Sequence, residues 1–222
     1  AAEKIRLIHR GVDAAQFPYD YHPSDSWITA WQQQYPQLAG QKTLTLPARL
    51  TRWKGPEDFV RLIARLKQKG MPVHGLLVGE AHHRKQDFLR ELQRMVATLE
   101  VQDNITFVGH RTDLREIMAV SDIVYSLSLE PEAFGRTTLE ALSLGRPVIA
   151  YDHGGAGEQL AAIFPQGCVP LADLDALEAT TCAFLQQSPH IPAQHDFTLQ
   201  AMKQKTLAVY SEFFDMHKVN PD

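Results

Sequence analysis

The sequence predicts a Rossmann-like α/β fold, in which helices cover both faces of a doubly wound parallel sheet. Short apolar segments rich in Val, Ile and Leu recur along the chain, as is typical of buried parallel strands. Segments with the i, i+3, i+4, i+7 spacing of amphipathic helices separate them. This alternation indicates βαβ units, whose crossovers are right-handed and whose ligands bind at the carboxyl ends of the strands.

The predicted strands and helices follow one another along most of the chain. Strands are predicted at residues 5–9, 43–48, 73–78, 105–108, 123–127 and 147–151. Amphipathic helices are predicted at residues 59–66, 88–99, 114–118 and 139–144, and Gly70 is placed to end the first of them. Residues 18–40, with three prolines and two tryptophans, indicate a loop with a helix around residues 27–35. A last helix is predicted at residues 197–214, after a break at 188–196.

The 222 residues are enough for one sizeable domain. We expect a linker strand with a loop and helix at residues 1–40, a core at 41–187 and a helical segment at 188–222. The chain starts almost at once in a strand-like run, without a signal peptide, as a piece of a longer protein would.

Composition excludes some classes of function. The net charge of −4 and a pI near 6.2 provide no strong basic field for nucleic acid or an anionic membrane. No apolar run approaches the roughly 20 residues that span a bilayer. Cys168 and Cys182 lack metal-like spacing and are too few for a disulfide framework, so both are expected to be plain thiols. We expect a cytoplasmic location, with at most peripheral contact with the inner face of a membrane.

The segment 130–150 contains the most candidate functional residues. Glu132 lies in the loop after a predicted strand, and Glu140 lies eight positions later in the first turn of a helix. A helix start favours a bound phosphate, and Gly135 allows close approach of the backbone to a ligand. Two structural alternatives stay open. Thr137 and Glu140 fit a capping box, with Thr137 as N-cap, and Glu132 fits a solvated loop acid.

A second candidate segment follows the strand predicted at residues 43–48. Arg49, Arg52 and Lys54 place three cations within six residues, and Pro56 favours a helix start directly afterwards. Arginine offers a planar fork to phosphate oxygens and lysine offers a mobile point charge. The alternative is a solvated cationic face. The position at the end of a strand favours a ligand site.

Two clusters of metal-ligand type are interpreted as structural. Asp173 and Asp175 resemble an acidic metal-binding triplet, but acids at a helix start also stabilise the helix dipole. His82 and His83 are interpreted as a solvated loop pair, and the sequence contains no HExxH motif. No metal site is predicted.

Taken together, these motifs resemble the C-terminal domain of retaining glycosyltransferases with the GT-B fold, the group with an E-x7-E motif. Glu132 and Glu140 match the two acids of that motif. The matching segments are residues 132–135, 139–142, 145–149, 49–50, 54–55, 9–13 with Phe17, 107–109 and 120–122. Two departures blur the subfamily: the polar run at residues 136–138 and the absence of a second glycine in Gly79-Glu80-Ala81.

The resemblance implies a role for each matching residue. Glu132 would bind hydroxyls of the donor sugar, Glu140 the ribose hydroxyls, and Arg49 with Lys54 the leaving diphosphate. The remaining implied contacts fall into three sets: backbone near the sugar and diphosphate from Phe134, Gly135 and Arg136; helix capping and phosphate binding by Thr137 and Thr138; and the border of the nucleobase formed by Gly109, His110 and Arg111.

The resemblance also implies a function. The full-length protein would transfer a sugar from a nucleoside diphosphate donor, with retention and without metal or other cofactor, to a glycan, lipid or small acceptor in cell-envelope polysaccharide or lipopolysaccharide synthesis. The N-terminal acceptor domain of that group would be absent from this chain, which alone would bind the donor weakly and transfer nothing. Two alternatives stay open: half of a sugar-nucleotide 2-epimerase, and a non-catalytic Rossmann-like interaction module.

Overall fold

The centre of the molecule is a six-stranded, fully parallel sheet with the order β3-β2-β1-β4-β5-β6. The computed structural model describes residues 5–80 and 86–218. The strands are β1 Lys42–Pro47, β2 Val73–Val78, β3 Ile105–Gly109, β4 Ile123–Ser126, β5 Val148–Tyr151 and β6 Cys168–Val169. This strand order is that of the doubly wound Rossmann fold, so the predicted fold class is confirmed.

Helices connect the strands and flank the sheet. They are α1 Asp25–Gln34, α2 Pro56–Gln68, α3 Gln86–Thr98, α4 Leu114–Ala119, α5 Arg136–Ser143, α6 Gly154–Ile163, α7 Leu174–Gln186 and α8 Leu199–Lys218. The predicted stop of α2 is confirmed, because Gly70 adopts a left-handed φ of 71° and its amide donates to the carbonyl of Lys67. Asp173 caps α7 by accepting from two backbone amides, which confirms its structural interpretation.

Alternate strand residues point to opposite faces of the sheet and build two apolar cores. Tyr125 packs on one face with α2, α3 and α7, whereas its neighbour Val124 packs on the other with α5 and α6. On the first face Phe59 and Leu62 of α2 are fully buried. Burying one such side chain contributes about 1.5–3 kcal/mol, so the amphipathic helices hold both layers to the sheet.

A third, smaller apolar cluster holds α1 against the sheet. Trp31 and Tyr35 are buried there against Leu76 and Val78 of β2 and Ile117 of α4. The predicted helix around residues 27–35 is therefore confirmed, and its aromatic residues explain why it packs beside β2.

One predicted strand is wrong. Residues 5–9 form no strand, and Ile5 and Leu7 are 74% and 76% exposed. The edge strands of the sheet are β3 and β6, and residues 5–9 pair with neither of them. The residues that follow this segment instead hold the start of α8, because the amide of Val12 donates to the carbonyl of Phe197 at 3.0 Å.

The other five predicted strands are found within one residue at either end. β6 and α6 are not predicted, and of α7 only the start near Asp173 is: β6 has two residues, and α6 opens on a glycine pair that weakens its helical signal. Cys168 and Cys182 are half-buried free thiols, as expected. The pair His82-His83 lies outside the described residues.

Within the described ranges, none of the helices combines the length and apolar character required for a membrane span. The described residues also include no group of three or more His, Cys, Asp or Glu side chains that could hold a metal ion.

Candidate functional site

The candidate site lies where the strand order reverses, between the carboxyl ends of β1 and β4. These two strands are neighbours, but β1 continues through α2 to β2 on one side and β4 continues through α5 to β5 on the other. Loops that leave adjacent strands in opposite directions open a crevice between them. Both candidate segments chosen from the sequence therefore meet at one place.

The loop after β1 is held tightly against the end of β4. Gly55 has a φ of 67°, and a Cβ at this position would lie 2.1 Å from the carbonyl oxygen of Leu127. The amide of Leu129 donates to the carbonyl of Trp53 at 2.7 Å. Only glycine permits this approach, which brings the cations of the first loop to the acids of the second.

Lys54 and Glu132 form an ion pair across the crevice. Lys54 Nζ lies 2.5 Å from Glu132 Oε1, and their side chains are only 15% and 19% exposed. Ser128 Oγ donates to the same carboxylate oxygen, and the Lys54 ammonium lies 4.2 Å from the centre of the Trp53 ring. A shielded, oriented carboxylate and ammonium are thus in contact. Ser128 and Trp53 were not predicted, since neither stands out without the fold.

The other two cations of the first loop point to different places. Arg49 is exposed and lines the crevice, and no carboxylate among the described residues pairs with it. Arg52 instead pairs with Glu57 and Glu91 on neighbouring helices. Arg49 and Lys54, the two predicted phosphate ligands, are therefore the cations at the crevice, and Arg52 belongs to the outer surface.

The loop 131–135 is wedged against the start of α6. The amide of Gly155 donates to the carbonyl of Glu132 at 2.8 Å, and Gln159 Nε2 donates to the carbonyl of Phe134. A Cβ on Gly155 would lie 2.5 Å from Phe134 Cα. The glycine pair 154–155 thus lets the Glu132 loop pack directly on the start of α6 and fixes its position. The sequence signal for this contact is a pair of glycines directly after a strand.

The first turn of α5 corrects the capping-box interpretation. The helix begins at Arg136 and its N-cap is Gly135, with a φ of 74° and no side-chain cap. Thr137 is already within the helix and does not cap it. The Glu140 carboxylate accepts from the guanidinium of Arg136 at 2.9 Å and 3.2 Å rather than from a backbone amide. The pattern fits a capping box, but the left-handed glycine shifts the helix start.

The residues of this turn differ in their access to the crevice. Arg136, Thr137 and Glu140 line a part of it of about 370 Å³, together with Arg49, Lys54 and Glu132. Thr138 is fully buried, and its hydroxyl has no hydrogen-bond partner in the described part of the chain. Phe134 lines a second pocket of about 410 Å³, which Arg136 and Glu140 also border.

A larger cleft of about 890 Å³ continues from the crevice over the ends of β2 and β3. Arg49 borders both spaces, and the far wall contains the predicted residues Gly109, His110 and Arg111. His110 is exposed, and Gly109 turns the chain with a φ of 78°. The guanidinium of Arg111 is bound to Asp113, so the loop contributes mainly backbone and His110 to this wall.

The chain belongs to the family of glycosyl transferases group 1, whose model matches residues 28–204. Among curated relatives, the D-inositol 3-phosphate glycosyltransferase of Jonesia denitrificans is 31% identical over 160 residues, which are 69% of this chain and 36% of the relative. The lipopolysaccharide core biosynthesis mannosyltransferase LpsB of Rhizobium meliloti is 29% identical over 65% of this chain and 42% of its own length. The matches therefore span less than half of these relatives.

Solved structures give the same class. HepE of Anabaena in complex with UDP is 25% identical, with a TM-score of 0.83 over 96% of this chain and 58% of that one. A glycosyltransferase of Rickettsia africae is 26% identical, with a TM-score of 0.84 over the same shares of the two chains. HepE has also been solved with UDP-glucose, at 26% identity. The resemblance to the C-terminal half of a GT-B glycosyltransferase is confirmed.

Proposed function

We propose that this chain binds a nucleoside diphosphate sugar between the ends of β1 and β4, and that the full-length protein transfers the sugar. The observation that carries the proposal is the contact of Lys54 with Glu132 across the strand-order reversal, beside the start of α5. A cation, a helix N-terminus and a carboxylate then face one small volume. Phosphate oxygens match the first two, and sugar hydroxyls match the third.

Donor binding would break the Lys54–Glu132 ion pair, because each of the two side chains would then bind a different part of the ligand. The diphosphate takes over the ammonium of Lys54 and the exposed guanidinium of Arg49, and sugar hydroxyls donate to the Glu132 carboxylate. As the diphosphate leaves, negative charge grows on its β-phosphate, which these cations stabilise. One charge-assisted hydrogen bond contributes roughly 1.5–3 kcal/mol, so loss of Arg49 or Lys54 would slow transfer about ten- to a hundredfold.

The nucleoside would extend from α5 into the larger cleft. Glu140 is 10% exposed and lines the crevice, where it can accept from ribose hydroxyls. Its partner Arg136 is 71% exposed and is free to swing aside. The cleft of about 890 Å³ beside Gly109 has room for a base, since ligand sites commonly measure about 300–1,000 Å³.

The proposal includes retention of the anomeric configuration, no requirement for metal or other cofactor, and a glycan, lipid or small acceptor of the cell envelope. Support comes from the E-x7-E spacing, from the protein cations Arg49 and Lys54 that line the crevice, and from relatives such as LpsB, a lipopolysaccharide core mannosyltransferase. The acceptor would be bound largely by an N-terminal domain beyond this chain. A cytoplasmic location, with at most peripheral membrane contact, belongs to the same proposal and is tested by cell fractionation.

Isothermal titration of this chain with UDP, GDP, ADP and TDP tests donor binding. We expect heat with at least one of them and about tenfold weaker binding in Glu140→Gln. Glu178→Gln is the matched control, because Glu178 is 12% exposed and ion-paired with Arg65 and Lys69 but lies outside the crevice. Absence of heat with all four nucleotides, or equal affinity in the Glu140 and Glu178 variants, contradicts the proposal.

Transfer is tested with the full-length protein. Glu132→Ala should lower sugar transfer or donor hydrolysis about a hundredfold at saturating donor, while Glu178→Gln stays near the parent rate. NMR of the product reports the anomeric configuration, and addition of EDTA reports any need for metal. Unchanged turnover in Glu132→Ala would contradict the assignment of Glu132, whatever the donor.

A further inference from the structure

The loop 109–113 forms the far wall of the larger cleft, yet the sheet holds only its first residue. Gly109 bridges to Gly79, and its φ of 78° then turns the chain away from β3. The remaining residues run over the surface to the start of α4. The orientation of this wall therefore depends on contacts from outside the sheet.

Asp113 supplies most of those contacts. Its two carboxylate oxygens accept from Arg111 Nε at 2.8 Å and from Arg111 Nη2 at 2.6 Å, which is a bidentate pair. Trp27 Nε1 of α1 donates to Asp113 Oδ2 at 2.7 Å. The hydrogen bonds from Arg111, with that from Trp27, lower the pKa of Asp113 to about 2. One carboxylate thus joins the loop to a helix distant in sequence.

This use of Asp113 replaces its ordinary local role. Asp113 occupies the N-cap position of α4, where an aspartate usually accepts from backbone amides and stabilises the helix by about 1 kcal/mol. Here its side chain makes no capping hydrogen bond. The first turn of α4 therefore has no side-chain cap, and the Asp113 carboxylate binds the loop and α1 instead.

The helix that receives this contact is rigidly held. Trp27 stacks on Trp31 with ring centres 5.1 Å apart, and Trp31 packs on Tyr35 with centres 4.3 Å apart. Trp31 and Tyr35 are 7% and 8% exposed. The Arg111 guanidinium lies 5.7 Å from the centre of the Trp31 ring, which places it on the same aromatic platform.

We propose that Trp27 and Asp113 are positioning residues for the nucleobase end of the donor site. They hold Arg111, and with it the backbone of residues 109–111, in the orientation that forms the wall of the cleft. The guanidinium of Arg111 is engaged by Asp113, so the loop meets the base through its backbone and His110. This inference rests on the proposed function, because it assigns the larger cleft to a base.

The test compares ligands with and without a base. The nucleoside diphosphate that binds most tightly among UDP, GDP, ADP and TDP is titrated into the parent chain, Asp113→Asn and Trp27→Phe, and inorganic pyrophosphate is measured by its displacement of that nucleotide. Asp113→Asn should weaken nucleotide binding about tenfold, Trp27→Phe should weaken it about threefold, and pyrophosphate binding should change less than twofold. A general loss of structure would weaken both ligands equally.

Asp122→Asn is the matched control. Like Asp113, Asp122 accepts from a cation and from an N–H group distant in sequence, here Lys42 Nζ at 2.9 Å and the backbone amide of Thr43 at 2.8 Å, but it lies at the amino end of the sheet. It should leave both affinities within twofold of the parent. Hydrogen exchange of residues 109–113 should quicken in Asp113→Asn and not in Asp122→Asn.

The outcomes separate the two proposals. Nucleotide binding by the parent that is unchanged in Asp113→Asn, or equal losses for nucleotide and pyrophosphate, overturns the positioning role alone. Absence of nucleotide binding by the parent overturns the donor site and the positioning role together.

Discussion

Replacing Gly155 by alanine tests how the start of α6 sets the Glu132 loop. The added Cβ would lie 2.5 Å from Phe134 Cα and 2.6 Å from the carbonyl carbon and oxygen of Phe134. All three are backbone atoms, so rotation of a side chain cannot relieve the contact. Ordinary contact begins near 3.4 Å, and the loop must therefore retreat by about 0.9 Å.

The expected cost has two parts. Overpacking of this kind lowers the free energy of unfolding by about 1–3 kcal/mol. The displacement also strains the 2.8 Å hydrogen bond from the Gly155 amide to the Glu132 carbonyl. It increases the distance between the Glu132 carboxylate and the Lys54 ammonium. A misplacement of about 1 Å at a reacting centre costs on the order of a hundredfold in rate.

Urea unfolding and sugar transfer by the full-length protein measure the two parts separately. Gly70→Ala is the control, because the φ of 71° at Gly70 makes any side chain there unfavourable, yet a Cβ meets no atom within 4 Å. Gly70 precedes β2 and so lies at the amino ends of the strands, away from the crevice. Gly70→Ala should lower stability and leave transfer near the parent rate. Equal transfer rates in the Gly155 and Gly70 variants would refute the argument that α6 positions the Glu132 loop.

Three further changes have definite expected results. Phe59→Ala removes a fully buried ring and should lower the free energy of unfolding in urea by about 3–5 kcal/mol; a loss below 1 kcal/mol would contradict the assigned core. Tyr125→Phe removes the buried 3.0 Å hydrogen bond to Thr181 and should cost only about 1 kcal/mol, so a cost as large as that of Phe59→Ala would point to a wider network. The pKa of Asp113 is lowered from 3.8 to about 2 in the folded chain, so the stabilisation is present above pH 4 and is lost as the pH falls towards 2. Asp113→Asn should therefore cost up to about 2 kcal/mol in urea unfolding at pH 7 and progressively less between pH 4 and pH 2; a cost independent of pH would show that the carboxylate charge is not responsible.

The elements recognised from sequence are those whose signal is local and complete. The strand at Val73–Val78 has the predicted bounds, because a short run rich in valine and leucine marks it without reference to any partner, and all six residues are buried in the structure. The segment 5–9 has a similar apolar character but no neighbouring strand, and composition alone cannot reveal that absence. The sequence of α6 does not predict a helix, because its first glycines allow a close contact with Phe134 and lower the helix propensity.

The candidate site shows the same division. Position after a strand or at a helix start, which is a local property, marks Arg49, Arg52, Lys54, Glu132 and Glu140 as candidates, and the family resemblance leaves Arg52 out. The capping-box alternative for Glu140 was also local and is wrong, because the left-handed Gly135 begins the helix and Arg136 takes the carboxylate. The residues that support the site, such as Ser128 and Asp113, carry no such pattern.

The sequence by itself determined the α/β class, most of the strands and the charged residues at their carboxyl ends, because hydrophobic periodicity and strand-end position can be read within a short window. Only the tertiary structure decided that Lys54 meets Glu132, that Arg52 turns away, and that Trp27 holds Asp113. These pairings depend on which strands are neighbours. That order arises from the packing of two apolar faces and six strands at once, which no segment of the chain encodes alone.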